Sequence, residues 1–173
     1  MAVLVALSGL PGVGKTTLAR AMAQQLGAPH FRVDTVEAAL KTSTLAIQSA
    51  EDAGYLALAG LARDNLRLGL TVVVDTVNPI AETRALWVSA AAGLGALLNV
   101  EVVCSDLAVH RSRVEQRVSD VDGLVVPTWA QVMARTFEPW EGDRLVVDTA
   151  AASPRTCAET VVRAARLLDA GAV

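Results

Sequence analysis

The stretch "SGLPGVGKTTLAR", residues 8–20, follows the apolar run "AVLVAL" at 2–7 and leads into a helical pattern. Its core, Gly9 to Thr16, has the spacing G-x-x-x-x-G-K-[ST], with Leu10, Pro11, Gly12 and Val13 between the outer glycines. Few conformations let a strand turn into a helix through three glycines and a proline. Glycines permit the positive φ angles that curl the backbone until successive N–H groups point inward at phosphate oxygens. The helix that starts near Lys15 aims the positive end of its dipole at the same point. In such a loop Lys15 reaches the β- and γ-phosphates of a nucleotide, and the Thr16 hydroxyl can ligate Mg²⁺. A buried strand before and a good helix after separate this motif from a chance Gly-rich turn.

Strand-like and helix-like segments alternate along the rest of the chain. Leu18, Met22 and Leu26 share one helical face, and Gly27 is a natural stop. "HFRV" at 30–33 reads as a weak second strand, followed by Asp34 and a helix to about Gln48. A further helix is expected over 51–68, with Leu58, Ala62 and Leu66 on one face and Gly69 at its end. "TVVV" at 71–74 is the clearest buried strand and runs directly into Asp75. Asn78-Pro79 reads as N-cap and first helical position of a helix that carries Trp87. Residues 97–104 and 144–147 complete five strands, and Ser153-Pro154 opens a final helix that ends near Gly171. This alternation predicts an α/β sandwich: a parallel sheet with helices on both faces.

The interval 107–142 breaks the alternation. It holds a basic helix, a turn at Asp122-Gly123 and a short helix whose Thr128 and Gln131 have capping-box spacing. It reads as a lid and acceptor-side insertion within a single domain spanning 1–173, since no linker or repeat divides the chain.

Composition narrows the function. Net charge is −3, which argues against tight, sequence-independent nucleic-acid binding. Hydrophobic residues make up 53% and aromatics only 3%, so the core must be built from Ala, Val and Leu. Cys104 and Cys157 make no disulfide framework, and a reducing cytoplasm fits them. No segment has the apolar length of a membrane span, and the N-terminal run lacks the pattern of a secretion signal.

If the loop holds a nucleotide, charged groups at the C-terminal ends of the strands are where its phosphate is used. Asp75 can hold Mg²⁺, directly or through water, or cap the next helix. Asp34 can take a proton from an attacking hydroxyl. With Glu37 it also has the spacing of a helix-capping pair. In "HRSRVEQR", Arg113 and Arg117 fall at i, i+4 with His110 beside them, while Arg111 can pair with Glu115. Such a basic face is either a cover that neutralises transferring phosphate or an ordinary solvated helix. Arg135 is a weaker candidate of the same kind, and Trp129, Phe137 and Trp140 either wall an acceptor pocket or pack a satellite core.

Taken in order, these segments resemble P-loop small-molecule kinases of the polynucleotide-kinase-like, gluconate-kinase-like and chloramphenicol-phosphotransferase-like group. "GLPGVGKTTLA" is similar to their phosphate loop, and "FRVDTVEAAL" to their acceptor segment. "VVVDTVNPIAETRALW" resembles their Asp-x-x-Asn…Arg…Trp stretch, "HRSRVEQR" their arginine lid, and "LVVDTAAASP" the loop near adenine. The resemblance implies a P-loop NTPase three-layer sandwich with strand order 2-3-1-4-5 and a helical lid. It implies Asp34 as general base, Arg117 with Arg113 as lid arginines, Lys15 on the phosphates, and Thr16 with Asp75 at Mg²⁺. ATP would be held by Gly9, Leu10, Pro11, Gly12, Val13, Gly14, Lys15, Thr16 and Thr17. Asn78 and Arg84 also match the group's pattern, although a cap and a surface charge account for them.

Where polynucleotide kinases place an arginine three residues after the base, this chain has Glu37. That residue and the acidic balance favour a small-molecule hydroxyl acceptor over a polynucleotide. A nucleoside or nucleotide kinase and a non-catalytic ATP-binding regulator are the rival readings. No guanine-reading Asn-Lys-x-Asp element is present, so ATP is favoured over GTP.

Overall fold

A computed structural model describes residues 1–44, 47, 49 and 52–171. Five parallel strands form one sheet in the order β2-β3-β1-β4-β5. They are β1 (Val3–Ser8), β2 (His30–Arg32), β3 (Val72–Asp75), β4 (Ala96–Val103) and β5 (Leu145–Asp148). The helices are α1 (Lys15–Leu26), α2 (Val33–Thr42), α3 (Ala53–Arg67), α4 (Ala81–Ala91), α5 (Leu107–Glu115), α6 (Trp129–Met133) and α7 (Pro154–Asp169). The predicted fold class and strand order hold. The expected helix end near Gln48 and start at Glu51 lie outside the described residues, while α2 stops at Thr42, where Ser43 turns extended.

β1 is central and buried along its whole length, which explains why its sequence is a continuous apolar run rather than an alternating one. Alternate side chains feed two cores. Val3, Val5 and Leu7 pack with Leu18 and Met22 of α1 and Val161 of α7. Leu4 and Ala6 pack with Leu58 and Ala62 of α3 and Trp87 of α4. The small residues on these helices let them lie close to the sheet, and they replace the missing aromatics.

Parallel pairing sends every strand's C-terminal end to the same edge. The register sets Leu7 beside Asp75 and Arg32 beside Asp75, so β1, β2 and β3 bring their C-terminal ends to one spot. The 107–142 interval is two short helices, α5 and α6, joined by an irregular strap over 116–128. The Thr128–Gln131 capping box and the Ser153 cap form as expected.

Candidate functional site

The loop between β1 and α1 runs through glycines at positive φ, and two of them have no room for a side chain. A Cβ on Gly9 would lie 2.3 Å from the Val102 carbonyl oxygen, and one on Gly12 would lie 2.4 Å from Val114 Cγ2. The loop's carbonyls are held by neighbours. Lys15 Nζ donates to Gly9 O at 2.8 Å and Leu10 O at 2.9 Å. His110 Nε2 donates to Pro11 O at 2.8 Å, which fixes the proton on that nitrogen. Thr149 Oγ1 donates to Val13 O at 2.7 Å and accepts from Arg113 Nη1 at 2.7 Å. With its carbonyls engaged and no side chain capping α1, the loop leaves first-turn N–H groups for an anion.

Behind the loop, Thr16 Oγ1 donates to Asp75 Oδ2 at 2.7 Å. Burial alone would push Asp75 up. The His30 ring, 3.5 Å away, with Lys15 and the Thr16 hydroxyl, outweighs it and holds the carboxyl below the usual carboxylate range. Lys15 shows the opposite balance: burial lowers it to about 8 against the pull of Asp75 and Asp34.

Loop and acidic groups face one cavity of about 970 Å³, which also takes in Asp34, Glu37, Tyr55, Arg117 and Arg135. Asp34 stands in the first turn of α2, and the capping pair with Glu37, the alternative to a role in proton transfer, does not form. The N-cap position is Arg32, which makes no side-chain cap, so both carboxyls are left to the cavity. Asp34 Oδ2 lies 3.5 Å from Arg117 Nη2 and 3.7 Å from Arg32 Nη2. Glu37, half-buried, is pushed up by desolvation and by Asp34, with Lys41 and Arg135 opposing.

Several sequence candidates sit elsewhere than expected. α5 ends at Glu115, so Arg117 lies beyond the helix and does not share a face with Arg113. Arg113 turns to the Thr149 hydroxyl and carbonyl, while Arg117 turns to Asp34. Arg111 does pair with Glu115, as its i, i+4 spacing allowed. Asn78 caps nothing: α4 starts at Ala81, and Asn78 is fully buried at φ 52°. Its N–H donates to the Tyr55 hydroxyl and its Oδ1 accepts from Trp87 Nε1. The Ala81 N–H is capped instead by Glu138, 57 residues away. Arg84 is not a surface charge but a buried one, 8% exposed, donating to the carbonyls of Asn78, Pro79, Glu138 and Pro139. Phe137 and Trp140 stack on its guanidinium, and Trp129 meets the His110 ring edge-on. Those aromatics are therefore packing for the insertion rather than pocket wall.

Sequence reasoning did not single out Arg32, Tyr55, Asp120 or Thr149. Arg32 sits two residues before Asp34, and a charge at the end of a strand was its signal. The other three carry none, because their partners come from remote segments.

The sequence model of the AAA domain family matches residues 4–139. The chain belongs to that family. No curated protein matches this AAA-domain chain. Among solved structures it is similar to an unliganded sugar kinase from Janibacter sp. HTCC2649, at 17% identity over 94% of each chain and a TM-score of 0.68. It is similar to a gluconokinase from Sinorhizobium meliloti 1021, at 21% identity over 95% of this chain and 93% of that one, TM-score 0.63. Kti12 of Chaetomium thermophilum, in complex with ADP-AlF3, aligns at 20% identity over 93% of this chain and 98% of that one, TM-score 0.67. These likenesses show a shared P-loop fold. Among the described residues no helix is long and apolar enough to cross a membrane.

Proposed function

We propose that this AAA-domain protein is a kinase that transfers the γ-phosphate of ATP to a hydroxyl of a small molecule. The observation that carries the reading is the Asp34 carboxylate on the same cavity as the glycine loop and the Thr16–Asp75 pair. In an in-line transfer the acceptor oxygen bonds to the γ-phosphorus as the bond to the β-bridging oxygen breaks. ADP leaves, and the hydroxyl proton passes to Asp34.

The loop amides and Lys15 hold the phosphates in this reading, and Gly9 to Thr17 form the nucleotide site. Pro154, in the segment that the family resemblance places near adenine, lines the same cavity. Thr16 and Asp75 are a hydroxyl and a carboxylate at hydrogen-bonding distance, a donor set that suits Mg²⁺. When bound, the ion neutralises phosphate charge. Arg117 leaves Asp34 for the transferring group, and Arg113 contributes from behind the loop through Thr149.

The pairing of Asp34 with two arginines favours a second reading, a non-catalytic nucleotide-binding regulator in which that carboxylate is a structural counter-ion. An ATP-consumption screen over sugars, other hydroxylated metabolites, nucleosides and antibiotics separates the two, with Asp34→Asn alongside. The kinase reading expects one acceptor to stimulate turnover and the variant to lose transfer by about 10²-fold or more while still binding ADP. ATP turnover that no acceptor raises above its rate with water, together with an Asp34→Asn protein indistinguishable from wild type, would falsify it.

A further inference from the structure

The strap over 116–128 belongs to no helix or strand, yet it is fastened to the body at three places. Arg117 pairs with Asp34 at the head of α2. Asp120 accepts hydrogen bonds from Arg20 of α1 and, at 3.1 and 3.2 Å, from Arg32 of β2. At Gly123 the turn passes so close to the end of α2 that a Cβ there would sit 2.9 Å from Thr42 Cγ2. Between these points Val118, Leu124 and Val125 line the mouth of the cavity.

Arg32 makes the Asp120 contact more than a surface ion pair. Its side chain is 9% exposed, and its Nε and Nη2 are buried with no hydrogen-bond partner. Those two nitrogens face the Asp75 and Asp34 carboxylates at 3.8 and 3.7 Å, beyond hydrogen-bonding reach. Asp120 is therefore the hydrogen-bonding partner of Arg32 among the described residues. The charges close a ring: strap Asp120, Arg32, Asp34, strap Arg117.

We propose that Asp120 is a positioning residue, which docks the strap onto Arg20 and Arg32 and thereby sets Arg117 and Arg32 about Asp34. Arg20 and Arg32 hold the Asp120 carboxyl down at about 2. Because Asp120 and Arg20 are half-exposed, the clasp is screened by salt and releases readily, as a cover that admits and discharges ligands must. Losing Asp120 strands a buried guanidinium, which must then swing onto Asp34 or Asp75. The delivery of Arg117 to a transferring phosphate rests on the kinase reading, whereas the docking of the strap does not.

Hydrogen exchange over 116–128 in the ligand-free protein, followed by dissociation of a fluorescent ADP analogue, tests this. Asp120→Asn should speed strap exchange about fivefold at low salt, and Arg20→Gln should do so by less. Wild-type exchange should rise more steeply than the variant's toward about 1 M NaCl, because the variant keeps only the Arg117–Asp34 pair for salt to screen. Asp120→Glu should restore protection. The analogue should leave Asp120→Asn faster, with α1 and β1 exchange unchanged. Equal strap exchange in wild type and Asp120→Asn, or loosening spread through α1 and β1, overturns the proposal. A protein that phosphorylates no acceptor yet shows the salt-sensitive strap would sink the kinase reading and leave the clasp standing.

Discussion

Lys15 carries its charge into the interior, where burial brings its pKa down to about 8 despite Asp75 and Asp34 nearby. Bound polyphosphate supplies the negative charge that restores it, so the complex holds this proton to higher pH than the free protein does. Above about pH 8 the free protein binds fewer protons than the complex, and by linkage nucleotide affinity falls as pH rises. Metal-free ADP should bind about tenfold more weakly at pH 9 than at pH 7. The drop should come with proton uptake in calorimetry across buffers, and Lys15→Met should bind weakly with no such slope. What the sequence reveals at this scale depends on reach. The glycine loop is legible because its geometry is local. Asn78 and Arg84 are not, because Tyr55, Pro139 and Trp140, which define them, come from 23 to 56 residues away in the chain. Side chains that look like a cap and a surface charge are buried polar groups whose partners only the fold supplies.

α5 shows the same limit for elements. Its charged sequence suggested a cover over nucleotide, and its place in the chain was readable, but its working contacts face inward. His110 holds Pro11 O, and Arg113 holds Thr149, which in turn holds Val13 O. The helix braces the phosphate loop with two buried or half-buried hydrogen bonds, one made directly by His110 and one by Arg113 to Thr149, which passes it on to Val13 O. Removing the ring in His110→Ala leaves the Pro11 carbonyl without a partner, at a cost of about 1–3 kcal/mol. Part of that cost falls on the loop's shape, so ADP affinity should drop about tenfold while the melting temperature falls by only a few degrees. Titration with a fluorescent ADP analogue beside a thermal melt checks it. An unchanged affinity with a lowered melt would make His110 plain packing. His110→Gln, which keeps an N–H donor, should recover part of the binding.

At the scale of the whole molecule, β1 ties the two cores together, since its alternate residues belong to opposite sides of the sheet. The strand then runs straight into the phosphate loop, and Gly9 N–H reaches across to the Val77 carbonyl beyond β3. The strands were legible because buried parallel strands read as apolar runs and the acidic residues follow them, whereas their order in the sheet was implied by the resemblance to P-loop kinases. The strap inside the insertion was not legible, because residues 116–127 have neither periodicity nor capping pattern. This connectivity argues that loop and cores unfold as one unit, so a ligand on the loop should stabilise the entire chain. ADP at 100 times its Kd adds about 2.7 kcal/mol. For a chain of this size that is a rise of about 5–10 °C in Tm, in one calorimetric transition. Lys15→Met, which takes the ammonium away from the Gly9 and Leu10 carbonyls, should melt below the wild type without nucleotide and gain little from it. Two transitions, only one of them moved by ADP, would mean that the insertion or one face of the sheet unfolds apart from the loop. In that case the coupling drawn here through β1 would be absent.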